Sequence, residues 1–259
     1  RMVADQNFWM GFLFFLIPAN LFLYGINDFF DGDTDAFNDK KSEKEHRLHV
    51  AERGGLRWAM LIMLVMAVFY YLTLQGWQVR LLFVVWLALS FFYSATPIRL
   101  KARPFLDSAS NVLYAIPGFL AYFISVGAWH AMPLPNIPGW VWVACALWTA
   151  AMHLFSAVPD IAADEQAGLR TTATVLGYRW SLVLCFGLWL NVAWMLGTHI
   201  GAGNQSLLRT LPAIMVGVYP ILAMLPLASA RIDIQRVYWW FPWINSVMGF
   251  GLFWWAVLG

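Results

Sequence analysis

Charge is scarce in this chain of 259 residues: Asp, Glu, Lys and Arg make up 12% of it, against roughly a quarter in an ordinary soluble domain. Cysteine is scarcer. Cys145 and Cys185 are the two present, and each sits inside an apolar run, so no disulfide framework is expected. Neither sign of charge dominates. A formal net charge of +2 is no electrostatic footprint for a nucleic-acid binder. A secretory signal, with its basic start, short apolar core and small-residue cleavage site, is not visible either. Low-complexity segments and convincing internal repeats are also missing. Disorder and coiled-coil readings fall with them, and residues 1–259 read as one domain.

What the chain has instead is apolar bulk. Hydrophobic residues make up 61%, with 16 Trp and 20 Phe, and mean hydropathy is +0.64. A bilayer core takes roughly 20 apolar residues per helix. About eight runs qualify: 8–27, 58–76, 79–96, 108–128, 139–159, 179–199, 208–228 and 239–258. They are continuously apolar, whereas barrel strands would alternate. The composition predicts an all-α, polytopic transmembrane helix bundle. Trp77, Trp129, Trp140, Trp239 and Trp240 stand near run ends, where interfacial anchors belong.

The charges that remain are unevenly placed. Of the 16 Lys and Arg, 13 fall in or beside segments 31–57, 97–107, 160–178 and 229–238, which alternate with the other side of the bundle. By the positive-inside rule that side is cytoplasmic. All the acids except Asp5 lie there too. Acids do not set topology, so their clustering predicts a polar site at the cytoplasmic face.

Two constellations stand out. Asn27, Asp31 and Asp35 follow the first run at spacing i, i+4, i+8, and Asp160 and Asp164 repeat the step at the end of the fifth. On a helix each step of four advances about 6 Å and turns only about 40°, so each row lies along one face. Facing carboxylates repel unless a cation separates them. Mg²⁺ suits such rows, because it takes oxygen ligands from one or two carboxylates and completes its shell with water and phosphate. No Cys/His cluster competes, and His153 reads as a packed histidine. Arg99, Lys101, Arg103 and Arg170 supply cations on the same side for an anion.

These residues resemble a known family. Asn27-x-x-x-Asp31-x-x-x-Asp35 and Asp160-x-x-x-Asp164 are similar to the two aspartate-rich motifs of the UbiA superfamily of intramembrane prenyltransferases. Tyr93-Ser94-Ala95-Thr96-Pro97-Ile98-Arg99-Leu100-Lys101 resembles its YS-x-x-P-x-R-L-K segment. The stretches 152–161 and 168–177, with Leu106-Asp107-Ser108, resemble the lycopene elongase branch. The resemblance implies nine helices around a central cavity. Here the first motif follows the first apolar run, as it would if the family's first helix were absent and the chain N-terminally incomplete.

The resemblance further implies a catalytic site of Asn27, Asp31, Asp35, Asp160 and Asp164 holding two Mg²⁺ ions. Arg99, Lys101, Arg103 and Arg170 would bind an allylic prenyl diphosphate, and Asp28 and Tyr93 would support them. The implied reaction is dimethylallyl transfer to lycopene or a related carotenoid within the membrane lipid of a prokaryotic cytoplasmic membrane. Ser110, Asn111 and Tyr114 are candidates to touch that acceptor, and Thr171 and Thr172 to contact phosphate or cap the next helix. Aromatic quinone precursors, chlorophyll or lipid headgroups are alternative acceptors. An ion-coupled transporter is the rival from another class, but its acids would sit near the midplane.

Overall fold

The computed structural model describes residues 6–31, 48–125, 137–201, 207–229 and 231–258. Among these residues every regular element is helical. The chain's contacts group it into two compact units. One comprises residues 1–103 and 112–137; the other comprises 104–111 and 138–259.

The first unit opens with α1, Gln6–Leu16, and α2, Pro18–Phe30. Pro18 separates them because its ring nitrogen has no proton to give the preceding turn. The Asn20 side-chain amide covers the break, donating to Phe15 O at 2.9 Å and Leu16 O at 3.1 Å. Next come α3, Arg53–Thr73, and α4, Trp77–Ser94. Their joint turns at Gly76, whose φ of 79° a side chain would resist. Aromatic rings hold these helices together. Phe14 stacks on Tyr70 at 4.8 Å, and Phe83 on Trp86 at 5.9 Å.

The chain then leaves this unit for α5, Leu106–Ala109, and returns to it for α6, Ile116–Ser125. The rest of the second unit is α7, Gly139–Ala157; α8, Ile161–Gln166; α9, Thr172–Gly201; α10, Leu207–Val216; α11, Val218–Ala228; and α12, Ile234–Leu258. Helix α9 is broken at Gly177, where φ is 71°. Its core is Trp189, wholly buried, with Phe155 at 5.5 Å, Tyr219 at 5.4 Å and Phe241 at 5.9 Å.

Six of the apolar runs form helices long and apolar enough to cross a membrane: Phe8–Phe30, Arg53–Thr73, Trp77–Ser94, Gly139–Gln166, Thr172–Ile200 and Thr210–Ala228. Run 239–258 lies inside the unbroken 25-residue helix α12. Run 108–128 is different. Its described residues, 108–125, are divided between α5, a 3₁₀ turn at Ser110–Tyr114 and α6. Pro117 and Gly118 at the start of α6, and the polar cluster Asp107–Asn111, oppose one long helix.

The Trp189 cluster supplies a direct test. Phe155→Ala should lower the unfolding free energy in mild detergent by about 3–5 kcal/mol. A loss below about 1 kcal/mol would mean that the second unit does not depend on this core.

Candidate active site

The first acidic row sits at the end of α2. Asp31 is that helix's last residue to close an intrahelical bond, its N–H donating to Asn27 O at 2.9 Å. Asn27 and Asp31 therefore lie one turn apart. The Asn27 side-chain oxygen accepts a hydrogen bond from the Ser94 hydroxyl at 2.7 Å. Ser94 is buried and closes α4, so this bond orients the amide from a second helix.

Asp31 is also buried, at 4% exposure. An unpaired carboxylate there would be costly. Its Oδ1 forms an ion pair with Lys101 Nζ. The segment after α4 brings that cation in. Ala95 caps α4, Arg99 adopts a left-handed φ of 42°, and a 3₁₀ turn at Leu100–Ala102 carries Lys101. The Arg103 guanidinium lies across the same turn and donates to Pro97 O at 3.4 Å.

Asp28 is half-buried beside Asn27, and Tyr93 is half-buried beside Ser94. On the first row's stripe, one turn below Asn27, the Tyr24 ring is 55% exposed. Its hydroxyl lies close enough to that of Tyr114 for the two to interact. Asp35 and the loop cations Lys40, Lys41, Lys44 and Arg47 lie outside the described residues.

The second row belongs to the other unit. Pro159 ends α7, and a 3₁₀ turn, Val158–Asp160, places Asp160 at the start of α8. Asp164 follows one turn later. The Gln235 amide of α12 donates to Pro159 O at 3.3 Å, tying this turn to the last helix. Gly168, at φ 70°, turns the chain out of α8. The Thr171 hydroxyl then donates to Asp164 Oδ2 at 3.4 Å. Arg170 is exposed beside it.

Local hydrogen bonds assign structural roles to four residues named from the sequence and agree with the cap expected at Thr171. Ser110 and Asn111 are buried, and their side chains donate to Asp107 O at 3.0 and 2.6 Å, so they brace a backbone turn. Thr171 is the N-cap of α9: its Oγ1 accepts the Thr174 N–H at 3.2 Å. Asp107 lies in neither acidic row and carries no spacing signal. It is wholly buried and holds the start of α9 through Thr172. Among the described residues, no group of three or more His, Cys, Asp or Glu is close enough to hold a metal ion. The candidate donors are side-chain oxygens of Asn27, Asp31, Asp160 and Asp164, which suit a hard cation such as Mg²⁺.

A sequence profile described as the UbiA prenyltransferase family matches residues 2–239. The lycopene elongase/hydratase of Haloferax volcanii is 38% identical over 242 residues, covering 92% of this chain and 72% of that protein. The lycopene elongase/hydratase of Haloarcula japonica is 39% identical over 241 residues, covering 92% and 74%. That of Corynebacterium glutamicum is 33% identical over 213 residues, covering 76% and 71%. Among solved structures, a UbiA homolog from Archaeoglobus fulgidus bound to DMAPP and Mg²⁺ aligns with TM-score 0.69 and 19% identity. The alignment covers 95% of this chain and 85% of that one.

The Lys101–Asp31 pair generates a prediction. Lys101→Met strands a buried carboxylate and should cost about 3 kcal/mol or more of stability. The double change Lys101→Met, Asp31→Asn should recover much of it. Unfolding of the three proteins in detergent measures the difference. A fully stable Lys101→Met protein would contradict the pairing.

Proposed function

Because this chain belongs to the UbiA prenyltransferase family and is a prenyltransferase, we propose that it transfers a dimethylallyl group from dimethylallyl diphosphate to lycopene or a related carotenoid. The observation that carries the acceptor is the 38% identity to the Haloferax volcanii lycopene elongase/hydratase across 92% of the chain. The donor and the metal are supported by the Archaeoglobus fulgidus homolog bound to DMAPP and Mg²⁺. They are supported equally by the oxygen-only chemistry of the two rows.

Asn27, Asp31 and Asp35 would hold one Mg²⁺ ion and Asp160 and Asp164 another. Bound there, the metal would act as a Lewis acid on the diphosphate as the carbon–oxygen bond breaks. The protein's own side chains do the rest. Ser94 and Thr171 orient Asn27 and Asp164 before any cation arrives. Arg99, Lys101, Arg103 and Arg170 take the leaving diphosphate, Arg as a fork and Lys as a point charge. Lys101 then exchanges one anion, Asp31, for another, which keeps every carboxylate compensated once a cation binds the row. The Tyr24 ring, one turn below, presents a π-face toward which a developing allylic cation is attracted.

The terminal double bond of the carotenoid attacks the allylic carbon, and the resulting tertiary cation loses a proton or captures water. No nucleophilic side chain is required. The site faces the cytoplasm of a prokaryotic cytoplasmic membrane, in keeping with the basic segments that surround both rows.

Expression in a bacterium that makes lycopene tests this reading. Mass spectrometry of the pigments should show a gain of one or two five-carbon units, with or without added water. Asp31→Ala with Asp160→Ala should abolish it. Unchanged lycopene beside folded protein would rule out the carotenoid acceptor, and aromatic acceptors with longer donors would follow.

A further inference from the structure

The Asp107 carboxylate has 0% exposure and belongs to neither acidic row. Burial of this kind demands compensation. Oδ1 accepts the Ser108 N–H at 2.7 Å and also the Thr172 hydroxyl, while Oδ2 accepts the Thr172 N–H at 2.7 Å. Thr172 opens α9, so the carboxylate also meets the positive end of that helix. The Phe105 N–H donates back to Thr172 Oγ1 at 2.6 Å. Residues 105–108 and Thr172 are therefore locked by four hydrogen bonds, three of them spanning 65 to 67 positions of sequence.

The next residue back carries the consequence. Thr171 and Thr174 cap one another: Thr171 Oγ1 accepts the Thr174 N–H at 3.2 Å, and Thr174 Oγ1 accepts the Thr171 N–H at 2.9 Å. With its oxygen engaged by the backbone, the Thr171 hydroxyl can send its proton to Asp164 Oδ2, 3.4 Å away. The same turn holds the backbone of Asp164, whose O accepts the Leu169 N–H at 2.8 Å. A displaced Thr172 would therefore move Thr171 and the bond it gives to the Asp164 carboxylate.

We propose that Asp107 is a positioning residue for the second acidic row: through Thr172 it sets the start of α9, and through Thr171 it fixes the carboxylate of Asp164. This rests on the proposed role of Asp164 as a ligand for a divalent cation. Thr171 is the outer partner that touches the ligand, and Asp107 acts on it through Thr172; losing an outer partner weakens metal affinity by about 10–100-fold.

Mn²⁺ binding in the presence of inorganic diphosphate, read by electron paramagnetic resonance on the detergent-solubilised full chain, tests this. Asp107→Asn puts an amide NH₂ where a donor now points, and Thr172→Val deletes the bridging hydroxyl. Both should raise the Mn²⁺ Kd about tenfold. Thr172→Ser should restore it to within about twofold, as a rescue that keeps the hydroxyl. Leu222→Ala in α11 is the stability control, lowering Tm with the Mn²⁺ Kd unchanged. Should Asp107→Asn fail to fold, Thr172→Val decides alone. Unchanged Mn²⁺ affinity in Thr172→Val, or a change no larger than that of Leu222→Ala, overturns the inference. Absence of Mn²⁺ binding in the parent protein overturns the functional reading itself, and this inference with it.

Discussion

A carboxylate at the end of an apolar helix must have a fixed partner, because its hydration is lost and little else nearby can stabilise its charge. That constraint organises the polar structure of this protein. Asp31 is met by Lys101, Asp107 by the start of α9, and Asp164 by Thr171. In each case the partner comes from a different element, so satisfying the charge also fixes where two elements sit. The electrostatic requirement and the placing of each acidic row are the same requirement.

Helix termini do the placing. Asp31 closes α2, Pro159 ends α7, Gly168 turns the chain out of α8, and Thr171 caps α9. Terminal positions leave backbone groups unpaired and let polar side chains stand next to long apolar spans without interrupting them. The aromatic cores do complementary work. Phe14, Tyr70, Phe83 and Trp86 pack one unit, and Phe155, Trp189, Tyr219 and Phe241 the other. They give the polar ends rigid supports.

Much of this was legible in the sequence because it is periodic. Long apolar runs announce spanning helices, and six of them are helices of the required length and hydropathy. The acidic rows announce themselves by a repeated step of four. Run 108–128 shows its average hydropathy but hides its interruptions, Pro117 and the polar residues Ser108, Ser110 and Asn111, which divide residues 108–125 into shorter elements. Asp107 itself has no partner at i+4, so no local pattern signals it. Its bonds to Thr172 span 65 positions, and Ser94 reaches Asn27 across 67. Hydrogen bonds of that range depend on tertiary packing and leave no trace in spacing. The Asp107–Thr172 lock has one general signal, since an acid at the mouth of an apolar run requires donors, and a Thr-Thr pair at a helix start supplies them.

The central claim is that the acidic rows are cation sites for an allylic diphosphate. It is tested most directly by calorimetric titration of dimethylallyl S-thiolodiphosphate, an unreactive donor analogue, into the purified protein with and without Mg²⁺. Binding that requires Mg²⁺ and disappears in the Asp31→Asn, Asp160→Asn double variant is the predicted result. Binding of equal affinity without Mg²⁺, or undiminished in the double variant, would contradict it.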